Sequence, residues 1–302
     1  MGEDLILRNQ LFVGDCRNVM SMLRESPLYR FDVVFADPPY NLSGNGLQWK
    51  NKRDGGDWYM VNERWDQFGE ESYGEFTRQW VRQAYKLLKP TGSIFVCCTY
   101  HNIGDVMSAL HGLGAKCLNL ITWQKSNPVP NMTRRTLTHS CEYVAWFAHS
   151  KGWTYNYELM KEEPDANGKQ LRDLWRFPVC QGLERIKGPD RRAAHPTQKP
   201  LALVRRALRA TTRKGNAVLD PFMGSGTTAA AAHELGLRWV GIEKEEKYVP
   251  IIEDRLNARG AEFATTPNPT LMDIARSDSY DEGFTVLGPR PEPRNRTYYV
   301  LR

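Results

Sequence analysis

Two short segments hold the residues best suited to chemistry. Asp37-Pro38-Pro39-Tyr40 follows the apolar run from Phe31 to Ala36, and Phe222-Met223-Gly224-Ser225-Gly226-Thr227 follows Ala217-Val218-Leu219-Asp220-Pro221. Successive prolines fix φ and remove two backbone N–H donors, so the first segment is a stiff corner offering acceptors, the Asp37 carboxylate and the Pro38 carbonyl. Two acceptors suit the hydrogens of an exocyclic amino group on a nucleobase. That nitrogen is a poor nucleophile because its lone pair is delocalised into the ring, and held this way it is favoured in a more pyramidal form. Tyr40 adds an aromatic face on which a base can stack, a contact of about 1–3 kcal/mol per base in single-strand binders. An amino group inside a duplex is reached by flipping the base out. Taken alone, the tetrapeptide also reads as a plain strand-ending turn.

The second segment has the form of a nucleotide-binding turn. A strand ends at Asp220, Gly224 and Gly226 let backbone approach a ligand closely, and a small-residue helix begins near Thr227. Glu243 closes the next strand, where its carboxylate is placed to accept hydrogen bonds from ribose hydroxyls. Gly224 to Ala229 also satisfies the loose dehydrogenase fingerprint G-x-G-x-x-A, so a nicotinamide-dependent oxidoreductase stands as a rival. Against it, the turn comes too late for a second mononucleotide half plus a substrate domain. A phosphate-cradling P-loop is excluded, because no Gly-Lys-Ser/Thr follows the glycines.

The elements that must position these segments alternate along the chain. Leu11 to Asp15 reads as a strand, Arg17 to Leu23 as a helix and Phe31 to Ala36 as a strand, one βαβ unit. Tyr73 to Leu88 has helical spacing and stops at Pro90-Thr91-Gly92, ahead of a strand from Ser93 to Cys98. A helix over 103–113 and strands at 117–123 and 142–147 follow. After them come a basic amphipathic helix over 200–210, a strand at 217–220, a helix over 227–235, a strand at 239–243 and a last helix over 247–259. Such alternation predicts an α/β fold, a mostly parallel twisted sheet with helices on both faces.

Between them, 41–69 reads as a long loop carrying Trp49, Trp58 and Trp65, either a lid or substrate contact or a surface insertion. Positions 124–195, rich in proline, arginine and aromatics, read as a substrate-facing insertion. The catalytic domain is expected over 1–263, with 264–302 as an irregular tail.

Composition bounds the rest. The 302 residues carry a net charge of +6, compatible with transient contact with phosphates. Six cysteines show no zinc-site spacing and no Cys-x-x-Cys pair, so free thiols and no metal are expected. No secretory signal is visible, and no apolar run approaches the roughly 20 residues of a membrane span, so a cytoplasmic protein without membrane contact is expected.

With both motifs quoted, the chain over roughly residues 10 to 260 resembles the beta-class DNA amino-methyltransferases. These bacterial enzymes methylate N6 of adenine or N4 of cytosine using S-adenosylmethionine. In that family the catalytic tetrapeptide comes first, target recognition next and the cofactor glycine turn last, the circularly permuted order seen here. The resemblance implies a Rossmann-like methyltransferase sheet and S-adenosylmethionine as cofactor. Its methionine part is then expected near Asp220, Phe222, Gly224 and Gly226, its ribose on Glu243 and its adenine on Asp15, with Asp37, Ser225 and Thr227 also among the residues that bind the cofactor. His195-Pro196-Thr197-Gln198-Lys199-Pro200 matches the segment leading into the family's cofactor-side helix, which implies Thr197, Gln198 and Lys199 near the cofactor. A capped helix start is the plainer reading of that hexapeptide.

The resemblance also implies double-stranded DNA as partner, with Lys125, Asn127, Arg134 and Arg135 near it. Arg and Lys there would neutralise phosphates, and an Arg can read guanine in the major groove; solvated surface charge is the alternative for each. The sequence argues against carbon-5 cytosine methylation, because its cysteine nucleophile typically follows a proline and no Pro-Cys dipeptide occurs. Asp rather than Ser before Pro-Pro-Tyr favours adenine N6 by resemblance, with cytosine N4 as the nearest alternative and a non-catalytic DNA-binding protein more distant. Dimerisation is common in the family, and a restriction endonuclease partner would be encoded elsewhere.

Overall fold

In a computed structural model the protein is described for residues 7–41, 48–49, 58–59, 63–68, 72–131 and 134–276. Most of the loop expected at 41–69 and the tail beyond 276 lie outside these residues. The N-terminal half comprises β1 (Gln10–Val13), α1 (Cys16–Leu23), β2 (Phe31–Ala36), β3 (Gln48–Trp49), β4 (Trp58–Tyr59), α2 (Ser72–Leu87), β5 (Leu88–Cys98), α3 (Ile103–Gly112) and β6 (Lys116–Lys125). The remainder comprises β7 (Cys141–Ala148), α4 (Tyr157–Lys161), β8 (Leu174–Phe177), α5 (Leu201–Thr211), β9 (Ala217–Asp220), α6 (Thr227–Glu234), β10 (Arg238–Glu243), α7 (Val249–Asn257), β11 (Ala264–Pro267) and α8 (Leu271–Arg276).

Nine strands form one sheet in the order β11-β1-β10-β9-β2-β5-β7-β6-β8, and β3 and β4 pair as a separate antiparallel hairpin. All neighbours in the large sheet are parallel except β7, which runs antiparallel to both β5 and β6. The mostly parallel α/β sheet is therefore as expected, with one reversed strand that places the start of β7, rather than its end, on the edge where β2 and β9 finish.

Central strands such as β2 read as near-continuous apolar runs because both faces are covered. One face packs α1, α2 and α3 around Phe31, Trp80 and Leu110; the other packs α5, α6 and α7 around Phe35, Val204 and Trp239. Asp32, the polar residue in β2, accepts from Lys89 Nζ and from the Ala217 N–H, each at 2.8 Å, so it ties β2 to both neighbouring elements. The alanine run of α6 lets that helix lie close to the sheet, with Ala229 to Ala232 fully buried.

The structure corrects several expectations. β5 begins at Leu88 and runs through Pro90-Thr91-Gly92, with a register shift opposite Phe31 and Val33. That irregularity accommodates the proline, and a Cβ on Gly92 would meet the Lys89 carbonyl at 2.9 Å. Within 124–195, the strand expected at 142–147 is present as β7, and β8, which was not expected, also joins the sheet. An irregular tail does not begin at 264: β11 pairs in parallel with β1, and Ile274 of α8 is buried in the core. The last predicted helix opens as a 3-10 turn at Glu246–Tyr248 before α7, which carries Pro250 in its first turn.

Candidate active site

Four adjacent parallel strands, β1, β10, β9 and β2, carry an acid at their end or within two residues beyond it: Asp15, Glu243, Asp220 and Asp37. Two come from the start of the chain and two from its last third. The strand order interleaves them at the carboxyl edge, where open α/β sheets bind ligands. All four line one cavity of about 370 Å³, within the usual range for small-molecule sites of about 300–1,000 Å³.

At the glycine turn, Asp220 accepts from the Phe222 N–H at 2.8 Å, which sets the direction of the chain leaving β9. Gly224 and Gly226 have φ of 54° and 74°, the left-handed region that glycine occupies without steric cost. A Cβ on Gly224 would lie 3.1 Å from His195 Nε2. The Gly224 N–H donates to Glu243 at 2.7 Å and the Glu245 N–H does so at 2.8 Å, so Glu243 fixes the turn as well as facing the cavity. Burial pushes Asp220 and Glu243 each up to about 7.

Behind the turn, buried Arg255 donates to the Ser225 carbonyl at 2.9 Å and to Thr227 Oγ1 at 2.8 Å. His195 packs against Tyr248 with ring centroids 4.4 Å apart and stacks on Trp65. Burial and the nearby Lys199 charge depress it to about 3, so it is a neutral imidazole. Trp65, Asp66, Gln67 and Phe68, the described end of the 41–69 segment, line the cavity.

The proline corner is buttressed from three sides. Tyr73 donates to the Pro39 carbonyl at 2.9 Å and accepts from Asn102 at 2.6 Å. Asp66 accepts from the N–H groups of Tyr40 and Asn41 at 2.6 and 2.8 Å. Tyr40 Oη donates to Asp37 at 2.9 Å, and Lys199 Nζ lies 2.8 Å from the same carboxylate and 4.9 Å from the centre of the Tyr40 ring. Burial raises Asp37 above the ordinary carboxylate range and Lys199 opposes that rise. Burial also works against the Lys199 charge, but the Asp37 and Glu142 carboxylates outweigh it and hold the ammonium protonated.

Of the residues expected at the cofactor, Asp15, Asp37, Thr197, Lys199, Asp220, Phe222, Gly224, Ser225, Thr227 and Glu243 line the cavity, as do Pro38, Pro39 and Tyr40. Gln198 does not: its amide donates to the Glu184 carbonyl at 2.8 Å and accepts from the Ile186 N–H at 3.0 Å, fastening the strap that precedes α5. Gly226 serves the backbone, as the left-handed cap of α6. Asp15 is held by Arg17 at 2.8 Å, which keeps its carboxyl below the usual range. Among the residues expected at DNA, Arg134 and Arg135 are exposed. Lys125 instead pairs with Glu142 at 2.7 Å, and Asn127 accepts from the Val179 N–H at 2.8 Å, so both are engaged within the protein. Sequence reasoning missed Asp66, Tyr73, Glu142 and Arg255, whose partners are distant in the chain and share no local pattern with it.

Comparison with known proteins agrees with this geometry. Residues 31–254 match the N6/N4 methyltransferase family described as DNA methylase. The chain is 42% identical over 232 residues to Type II methyltransferase M2.DpnII of Streptococcus pneumoniae, covering 75% of this chain and 82% of that protein. It is also 42% identical over 237 residues to Type II methyltransferase M2.LlaDCHI of Lactococcus lactis subsp. cremoris, covering 77% and 84%. Its fold is similar to the crystal structure of the M1.HpyAVI-SAM complex, with a TM-score of 0.61 and 27% identity over 82% of this chain and 98% of that one. A match covering well over half of the sequence makes this protein a member of the DNA methylase family, an S-adenosylmethionine-dependent DNA methyltransferase.

Proposed function

We propose that the protein transfers a methyl group to N6 of adenine in double-stranded DNA, acting on a base flipped into the mouth of the cavity beside Asp37-Pro38-Pro39-Tyr40. The observation that carries this reading is that the proline corner and the glycine turn open into one cavity, with Asp37 and Glu243 among its walls. Asp, rather than Ser, ahead of Pro-Pro-Tyr supports adenine over cytosine. The Type II designation of the relatives supports a separately encoded restriction endonuclease as counterpart. A homodimer and a cytoplasmic location belong to the same proposal, and no helix among the described residues is long and apolar enough to cross a membrane.

The residues present fit the cofactor. Two buried carboxylates, Asp220 and Glu243, face the cavity, and among the described residues neither has an ion-pair partner. Such groups accept hydrogen bonds from a ribose or an ammonium and favour a nearby positive charge. S-adenosylmethionine bound there supplies a methyl group activated by its sulfonium.

The chain's own part is positioning and electrostatics. Asp37 and the Pro38 carbonyl hold the two amino hydrogens, and Tyr40 offers its ring to the base. Transfer from a donor held in the cavity would leave positive charge on N6, which the Asp37 carboxylate would stabilise. The nitrogen then releases one proton, for which Asp37 is the adjacent base. Holding the two reactants aligned accounts for about 7–11 kcal/mol of barrier reduction. Trp65 and Phe68 add aromatic side chains to the cavity wall. Sequencing DNA from cells expressing the protein for modified bases tests the proposal. N6-methyladenine at one recurring sequence is expected, and N4-methylcytosine or unmodified DNA would contradict it.

A further inference from the structure

We infer that Glu142 and Lys125 are positioning residues that set the proton affinity of the Asp37 carboxylate, acting through Lys199. The inference rests on the reading of Asp37 as the acceptor for the target amino group. Its basis is a chain of alternating charges. Asp37 lies 2.8 Å from Lys199 Nζ, Lys199 lies 3.9 Å from Glu142, and Glu142 lies 2.7 Å from Lys125 Nζ. Tyr40 Oη spans the first and third members, at 2.9 Å from Asp37 and 3.5 Å from Glu142. The four charged side chains are between 9% and 20% exposed, so their mutual interactions are weakly screened by solvent and salt.

The fold explains why Glu142 is there. It is the second residue of β7, the reversed strand, and a parallel strand in that place would put its start on the opposite edge of the sheet. Lys125 is the last residue of β6 and reaches the same edge from the next strand. Pairing with these two therefore needs the reversal of β7 and is invisible in local sequence.

Among the described residues, the charged groups facing Asp37 act on it with opposite signs. Lys199, from the strap before α5, lowers its proton affinity, and so does the Tyr40 hydrogen bond; Glu142 raises it. Cys97 of β5 is buried and held as a neutral thiol, Asp220 of β9 is an acid that titrates near neutrality, and His195 beyond Lys199 is neutral. Glu142 thus shares the Lys199 charge that would otherwise fall wholly on Asp37. Asp37 keeps enough basicity to hold the amino hydrogens and take up the proton that N6 releases. Lys125 in turn limits how strongly Glu142 draws Lys199 away.

The test is the pH dependence of single-turnover methyl transfer at saturating cofactor and duplex DNA, followed by labelled methyl from about pH 5 to about pH 9. In the wild type an acid limb is expected, where protonation of Asp37 removes its acceptor. Glu142→Gln leaves Lys125 uncompensated and the Lys199 charge wholly on Asp37, so the limb should move to lower pH by about one unit. Lys125→Met leaves Glu142 uncompensated, so the limb should move to higher pH, and Lys125→Arg should restore it. Opposite shifts are a response that a merely structural role does not produce. A wild-type profile without an acid limb would overturn the inference, and so would limbs that stay in place or move together, whatever the change in rate. Asp37→Asn separates the two levels. If that variant keeps wild-type turnover, the underlying reading of Asp37 fails; if it loses turnover while the two limbs do not move, only the charge chain fails.

Discussion

Lys199 Nζ lies 2.8 Å from the Asp37 carboxylate although 162 residues separate them in sequence. The pair joins the N-terminal part of the chain to the strap before α5 at the proline corner and puts a positive charge beside the carboxylate proposed to accept the target amino group. Lys199→Met should leave Asp37 buried without its counterion, so the carboxyl's proton affinity rises further. Methyl transfer near neutral pH is expected to fall at least ~10-fold and to recover in part as the pH is raised. A variant equally impaired at every pH would contradict this.

Asp220 and Glu243, both raised to about 7, are expected to make cofactor binding pH-dependent. A bound sulfonium and ribose favour the charged carboxylates, so binding at pH 6 to 7 should release protons and affinity should rise with pH through about 7. For the free protein the sign is opposite. An acid with a raised folded pKa contributes stability present below the unfolded value of about 4, which is lost as pH rises towards 7. Calorimetric titration in buffers of different ionisation enthalpy measures the proton release, and its absence would count against these carboxylates as cofactor ligands.

Gly224→Ala tests the glycine turn. Its φ of 54° is unfavourable for alanine, and the added Cβ would meet His195 Nε2 at 3.1 Å. A loss of about 1–3 kcal/mol in unfolding free energy is expected, together with weaker cofactor binding because the Glu243 contact moves with the turn. Denaturant titration and equilibrium binding separate the two effects.

Much of this was legible in the sequence. β2 and β9 were legible with their stated boundaries because each is an apolar run closed by an unmistakable stop, Pro38-Pro39 in one case and the turn after Asp220 in the other. α5 and α6 follow from helical spacing. The edge strands were not legible: Leu174-Trp175-Arg176-Phe177 is four residues long, with Leu174 and Arg176 exposed, and Ala264-Thr265-Thr266-Pro267 contains a single small apolar residue before its proline. Of the site residues, those inside the two motifs were legible because backbone chemistry demands proline and glycine there. Glu142, Tyr73 and Arg255 were not, because each acts across the fold on a partner that only tertiary packing supplies.

Tyr73→Phe removes the donor to the Pro39 carbonyl and leaves Asn102 without its acceptor. Stability should fall by about 1–3 kcal/mol, the usual cost of buried polar groups left unpaired. The rate of methyl transfer should fall while cofactor affinity stays near wild type, because the hydroxyl supports the corner and not the glycine turn. Urea denaturation and single-turnover kinetics check the two parts.

Arg134 and Arg135 are exposed beyond the end of β6. If they contact phosphates, replacing both by alanine should weaken DNA binding at every sequence and reduce the slope of log affinity against log salt by about 2. An unchanged slope would place them away from the DNA.

The central claim is that Asp37 holds the amino group of a target adenine while the glycine turn holds the methyl donor. Its most direct test is transfer of labelled methyl to duplex DNA by wild type and Asp37→Asn, with the labelled nucleoside identified and cofactor affinity measured on the same preparations. N6-methyladenine is expected from the wild type, and from the variant at least ~100-fold less product with cofactor affinity changed only a few-fold. A variant that methylates at the wild-type rate, or label recovered on cytosine, would contradict it.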